Sequence, residues 1–232
     1  MKFFSLFLPL DVLDLARREW KVDGVPREAL VSLPAKPAGA PIIFAFHGHG
    51  GTAAFAARRW GLHTLWPKAI VVYAQGLPTA TQRDRGGKEA GWQMWEFGLR
   101  PNRDRLFFDA MLETARKEWK VNEKRIYVTG HSNGGGFTYF LWGKKPTLFA
   151  ALAPVSGGGE RLIENARPCP ILVIGAKNDT IVPWETQQRA IDAAKKINGT
   201  KAPVEVFIHQ GGHAYPDQAP GKIIAFFKKY SR

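Results

Sequence analysis

The chain has one cysteine and three methionines in 232 residues. Cys169 stands alone, which excludes an intrachain disulfide. Its setting, "PCPILVIG", reads as that of a small buried hydrophobe rather than a nucleophile. No apolar run approaches the roughly 20 residues of a membrane-spanning helix. Acidic residues are scarce, 20 Asp and Glu against 33 Lys and Arg, and the net charge is +13. The basic excess is scattered, as in Arg17/Arg18, Arg58/Arg59, Arg83/Arg85, Lys144/Lys145, Lys195/Lys196 and Lys228/Lys229, and no nucleic-acid-binding motif accompanies it. The charge therefore implies a weak, general affinity for anionic polymers and no specific nucleic-acid partner. There is also no internal repeat, no linker, and no Gly-Lys-Ser/Thr of a phosphate-binding loop.

What is present describes one ordinary globular domain, with 45% hydrophobic and 23% charged residues. Residues 1–21 read as a separate N-terminal segment and residues 22–232 as the domain. Lys2 and the apolar run behind it resemble the start of a signal peptide, but the run stops at Asp11 without a nearby Ala-x-Ala site. A weak signal and a short packing segment are both open readings.

Apolar runs recur at 29–33, 42–46, 70–73, 126–129, 150–155, 171–174 and 204–208, and several are too continuous for half-exposed strands and suit a sheet covered on both faces. Helical patterns alternate with them. Thr52 is placed to cap a helix over 53–66, and Asn102 one bearing Phe107, Met111, Ala115 and Trp119 at four-residue spacing. Further helices are expected over 133–143, 184–197 and 217–230, the last capped by Asp217. Strands alternating with helices predict a mostly parallel central sheet with helices on both faces. Two intervals stand out: 75–101 is long and lacks a period, whereas 156–170 is too short to hold an inserted lid.

The stretch "RIYVTGHSNGGG", residues 125–136, carries the chemistry. Gly130-His131-Ser132-Asn133-Gly134 fits G-x-S-x-G between a strand and a helix, the context of a nucleophile elbow. A serine on so tight a turn needs neighbours without a Cβ two positions away, and Gly135 and Gly136 let the new helix approach the sheet. A serine hydroxyl also needs a base, and the base an orienting acid. In this architecture the acid and then the histidine follow the serine in the chain. Asp179 follows the strand "PILVIG", and His213 follows "VEVFI". Both fall at strand ends, where open α/β sheets gather their chemistry. His209 would lie at the end of a strand, His131 would point away from the elbow, and Asp217 reads as a helix cap.

An oxyanion needs two N–H donors. Asn133 is expected to supply one. The glycine-rich turn "HGHGGT", residues 47–52, supplies the other, with His49 the preferred donor. A rival reading of His47 and His49 as metal ligands lacks the further ligands it requires. No metal or organic cofactor is expected.

Together "FHGHGG", "NRDRLFFDAML", "VTGHSNGG", "NDTIVPW" and "GGHAYP" resemble the α/β-hydrolase superfamily, and more narrowly the polyhydroxybutyrate depolymerase-like esterases, which include feruloyl and acetylxylan esterases. The resemblance runs from about Val22 to Tyr230. It implies an α/β-hydrolase fold with little or no lid and a triad of Ser132, Asp179 and His213. It also implies a substrate cleft lined by Trp184, and a secreted or periplasmic location. Trp92, Trp95 and Phe97 in "GWQMWEFG" are further expected substrate contacts, because tryptophan gives broad stacking surfaces. The expected reaction is hydrolysis of short-chain or aromatic acyl esters, small or polymer-borne. The alternatives are a peptidase or thioesterase with the same triad, a non-catalytic ligand-binding relative, and a basic protein adhering to an anionic polymer.

Overall fold

The computed structural model describes residues 15–95 and 102–232. The N-terminal segment before residue 15 and Phe97 lie outside the described residues.

The described residues form ten strands and six α-helices: β1 (Ala16–Val22), β2 (Val25–Ser32), β3 (Ile42–Phe46), α1 (Ala53–Trp60), α2 (Leu62–Leu65), β4 (Ile70–Ala74), β5 (Leu77–Pro78), β6 (Ala90–Gly91), α3 (Arg103–Lys117), β7 (Ile126–His131), α4 (Asn133–Lys144), β8 (Ala151–Val155), β9 (Ile171–Ala176), α5 (Trp184–Asn198), β10 (Val204–His209) and α6 (Ala219–Lys228). Eight strands form one sheet in the order β1-β2-β4-β3-β7-β8-β9-β10. From β4 to β10 every neighbour is parallel, and β2 runs antiparallel to both β1 and β4.

Strand alternation sorts the core into two layers. Ile42, Phe44 and Phe46 join the cluster under α3, α4 and α5, while Ile43 and Ala45 join the one under α1, α2 and α6. The α/β-hydrolase arrangement follows: a mostly parallel sheet covered on both faces. Residues 156–170 contain only a short 3-10 turn, Glu160–Leu162, and no lid domain.

The expected break at residue 22 is absent. Residues 16–22 are the edge strand β1, paired with β2 from Ala16↔Val31 to Val22↔Val25. Most of β1 is exposed, so it shows no apolar alternation from which a strand could be read. The helix expected over 53–66 breaks at Gly61 into α1 and α2, with the Thr52 side chain accepting from the Phe55 N–H as foreseen. Asp217 does not cap the last helix. α6 begins after Gln218 with no side-chain cap, and the Asp217 carboxylate pairs with Arg59 at the surface.

Cys169 is buried just ahead of β9, its thiol donating to the Phe149 carbonyl at 3.3 Å. Burial pushes that thiol up to about 12. The Asn198 side chain at the end of α5 holds the Cys169 backbone, accepting from its N–H at 3.1 Å and donating to its carbonyl at 2.7 Å. Among the described residues no helix is long and apolar enough to cross a membrane.

Candidate active site

Parallel pairing brings the strand ends into line. Phe46 of β3 sits opposite Gly130 of β7, His131 opposite Val155 of β8, Val155 opposite Ile174 of β9, and Ala176 opposite His209 of β10. The loops after β3, β7, β9 and β10 therefore open on one edge of the sheet. They carry His49, Ser132, Asp179 and His213.

Ser132 joins β7 to α4 with φ 55° and ψ −116°, a left-handed conformation that a residue with a Cβ adopts at a cost. Hydrogen bonds hold it there: its N–H donates to the Val155 carbonyl at 2.8 Å, and its carbonyl accepts from Gly136 at 2.9 Å. The flanking glycines have a steric reason. A Cβ on Gly130 would fall on the Gly134 carbonyl, and one on Gly134 on the Phe46 carbonyl. The glycines admit the turn, and the turn presents the hydroxyl.

His213 Nε2 lies 2.8 Å from Ser132 Oγ, and its Nδ1 lies 2.8 Å from Asp179 Oδ2. The carboxylate side chain of Asp179 is 0% exposed and the His213 side chain 17%. Three further donors converge on Asp179. The N–H groups of Ile181 and Val182 reach Oδ1 at 2.9 and 2.8 Å, and Gln187 Nε2 reaches Oδ2 at 3.0 Å. The two backbone bonds make an Asx-type turn that orients the side chain locally. A carboxylate so placed selects the Nδ1–H tautomer of His213, leaving Nε2 free to accept the serine proton. Asp217, the rival acid, faces Arg59 instead.

Asn133 begins α4, so no carbonyl of the helix reaches its N–H, which points from the helix terminus beside Ser132. In the loop after β3, the Gly50 N–H donates to Ala90 and the Gly51 N–H to Gly48. Among the described residues the N–H groups of Gly48 and His49 have no acceptor. The loop lies against the elbow, for a Cβ on Gly48 would come within 3.4 Å of Ser132 Cβ.

The two histidines of that loop diverge. His47 Nδ1–H donates to the Gly48 carbonyl at 2.7 Å, and Nε2 accepts from the Gly76 N–H at 2.9 Å. Both nitrogens are thus committed to backbone, and burial lowers its pKa. The His49 ring faces Asp84 at 3.2 Å. Among the described residues no group of three or more His, Cys, Asp or Glu side chains is placed to hold a metal ion.

Of the tryptophans, Trp92 corrects the sequence reading. It is 1% exposed, packs edge-on to Phe46 and stacks on Phe137, and its Nε1–H donates to the His47 carbonyl at 2.8 Å. It braces the loop after β3 from beneath and lines no cleft. Trp95 is 54% exposed and borders a groove of about 380 Å³ with Met94, Phe140 and Arg161. Trp184, the first residue of α5, is half-buried against the core.

Sequence reasoning missed several supporting residues. Gln187 is one, a polar residue on the buried face of α5, and that placement was its only signal. The Asn133 side chain is another: it accepts from the Trp92 N–H at 2.6 Å and donates to the Trp92 carbonyl at 3.2 Å. His131 does not point away. Its ring lies 5.1 Å from that of His213.

With this geometry in view, the sequence matches the dienelactone hydrolase family over residues 72–229. The chain belongs to that family. It is 26% identical over 166 residues to the bifunctional acetylxylan esterase/xylanase XynS20E of Neocallimastix patriciarum, covering 70% of this chain and 23% of that one. It is 30% identical over 125 residues to poly(3-hydroxyalkanoate) depolymerase C of Paucimonas lemoignei, covering 53% and 29%. The chain thus spans less than a third of either relative's length. Its fold superposes on a thermostable esterase with a TM-score of 0.74 at 23% identity, covering 95% of this chain and 64% of that one.

Proposed function

We propose that the chain is a serine carboxylesterase that works through an acyl-enzyme, without a metal or organic cofactor. The observation that carries this reading is the continuous relay from Ser132 Oγ through His213 to Asp179, both steps at 2.8 Å. His213 takes the proton of Ser132 as the oxygen attacks the ester carbonyl, then protonates the leaving alcohol and activates water for deacylation. Asp179 fixes the imidazole tautomer and stabilises the imidazolium. The Asn133 N–H and one from the Gly48–His49 turn receive the oxyanion.

The substrates we propose are short-chain or aromatic acyl esters, free or carried on a polysaccharide or polyester. Two things support this: the lidless interval 156–170, and relatives named for acetylxylan and polyhydroxyalkanoate. Trp184 is proposed to border the acyl site.

The test is a panel of acetyl, butyryl, feruloyl and hydroxybutyrate esters run beside matched amides and thioesters. A phosphonate probe should label Ser132, and Ser132→Ala should abolish both labelling and turnover while melting like the wild type. Faster cleavage of the amides or thioesters than of the esters would reassign the reaction. Ester turnover surviving in Ser132→Ala would remove the nucleophile.

A further inference from the structure

Two hydrogen bonds fix the His213 ring along the line from Asp179 to Ser132, but neither stops it rocking about that line. Its own loop enters through Gly211 and Gly212, the latter at φ 62°, with the Gly211 N–H donating to His209 Nδ1 at 3.1 Å. A further contact comes from His131. That ring lies beside His213 with centroids 5.1 Å apart and planes tilted by 33°. It also meets the ring of Tyr215 edge-on, at 5.8 Å and 88°. Tyr215 in turn stacks on Trp60 of α1 at 4.6 Å and 12°. Two residues of the histidine loop thus contact a ring that belongs to the elbow, and one of them, Tyr215, is itself stacked on a helix residue.

We infer that His131 is a positioning residue: held between His213 and Tyr215, it sets the plane of the general base relative to Ser132, and it does so as an uncharged ring. The geometry couples base to nucleophile directly, because His131 is the last residue of β7 and is adjacent to Ser132 in the chain. The ionisable groups around it are His213 and Tyr215 from the β10–α6 loop, Asp179 from the β9 loop and His209 at the end of β10. His131 Nε2 is sealed from solvent and meets no hydrogen-bond partner among the described residues, so a proton there would have no acceptor. Burial holds the group down to about 3. When Ser132 passes its proton to His213, the new imidazolium meets a neutral aromatic face rather than a second cation.

This inference rests on the proposed triad, and it is tested by a signal that does not depend on turnover. The Nδ1 proton of His213, bonded to Asp179, gives a strongly downfield proton resonance, assigned by its loss in His213→Gln. Wild type and His131→Phe, which keeps a flat neutral ring, should show it sharp. His131→Ala should show it broadened or absent, and Tyr215→Leu should show a partial loss, at melting temperatures close to wild type. Turnover of 4-nitrophenyl butyrate should follow, with kcat falling about 10- to 100-fold in His131→Ala, KM within twofold, and recovery in His131→Phe. A sharp resonance in His131→Ala overturns the inference. So does its loss in both variants at an unchanged melting temperature, since a nitrogen rather than the ring would then be at work. A wild type that shows the resonance but cleaves no ester refutes the proposed reaction and leaves the role of His131 standing.

Discussion

The elbow and the excursion that follows β4 meet at Asn133, yet they are built in opposite ways. The elbow, from β7 into α4, is written in consecutive residues: a strand, a serine held left-handed, and glycines where any Cβ would strike a carbonyl. Residues 75–95 pair with themselves through β5 and β6 but are anchored by side chains from outside the segment. Asp104 accepts from the Gln93 N–H at 2.7 Å, and Asn102 donates to the carbonyls of Gln93 and Trp95 at 2.7 and 3.1 Å. Arg27 reaches Asp104 at 2.7 Å from β2, both side chains being buried, with the guanidinium over the Phe107 ring. Further out, Asp84 meets His49, and Arg83 donates to the Thr180 carbonyl at 3.1 Å. The excursion thus runs from the elbow residue Asn133 to the loop of Asp179. One region stores strain to expose a group, while the other uses a buried ion pair to hold a loop against it.

That contrast can be broken from either side. The largest effect belongs to the triad: Asp179→Asn should lower ester turnover by about 10⁴-fold by favouring the wrong His213 tautomer. Its melting temperature should move little, measured by calorimetry beside the kinetics. Asp104→Ala inverts the pattern. Leaving Arg27 charged and buried without its partner should cost about 3–5 kcal/mol in urea unfolding. It should also reduce turnover, because the segment clamped to Asn133 is released. Full stability in Asp104→Ala would mean that the excursion is as local as the elbow.

The next effect is in pH. His131 has a folded-state pKa near 3 against 6.5 as its ordinary value, so between those values the unfolded chain binds a proton that the folded chain refuses. Stability is complete above pH 6.5 and drains away as the pH falls toward 3, by an amount on the order of a few kcal/mol. His131→Phe should flatten that part of the profile when melting temperatures are compared from pH 7 to pH 4. The smallest effect is expected of Asp217→Asn. Its surface pairing with Arg59 is worth about 0–1 kcal/mol, and neither kcat nor KM should change.

The same contrast governs what the sequence discloses. Strands β3, β4, β7, β8, β9 and β10 were legible because each is a short, largely apolar run, though β10, interrupted by Glu205, proves a half-exposed edge strand; the elbow was legible because its signal lies within a few residues. Asp179 and His213 could be read from their places after strands. β1 was not legible, since it forms by pairing with β2 at an exposed edge and needs no apolar face. Nor was the burial of Trp92, which depends on the Asn133 side chain, or the union of Arg27 with Asp104, 77 positions apart. Pattern reveals which face of an element is buried. It does not reveal which polar group on another element will be waiting there.

The lone thiol turns this architecture into its own stopwatch. Cys169 is buried with its thiol on the Phe149 carbonyl and its backbone tied at both ends to Asn198, so a reagent reaches it once the packing at this corner of α5 and β9 opens. The thiol, held near 12, offers almost no thiolate while it stays buried. Once that corner opens, it reacts as any exposed cysteine does. The rate of labelling therefore counts openings of one defined corner, and the single thiol serves as a clock for local unfolding.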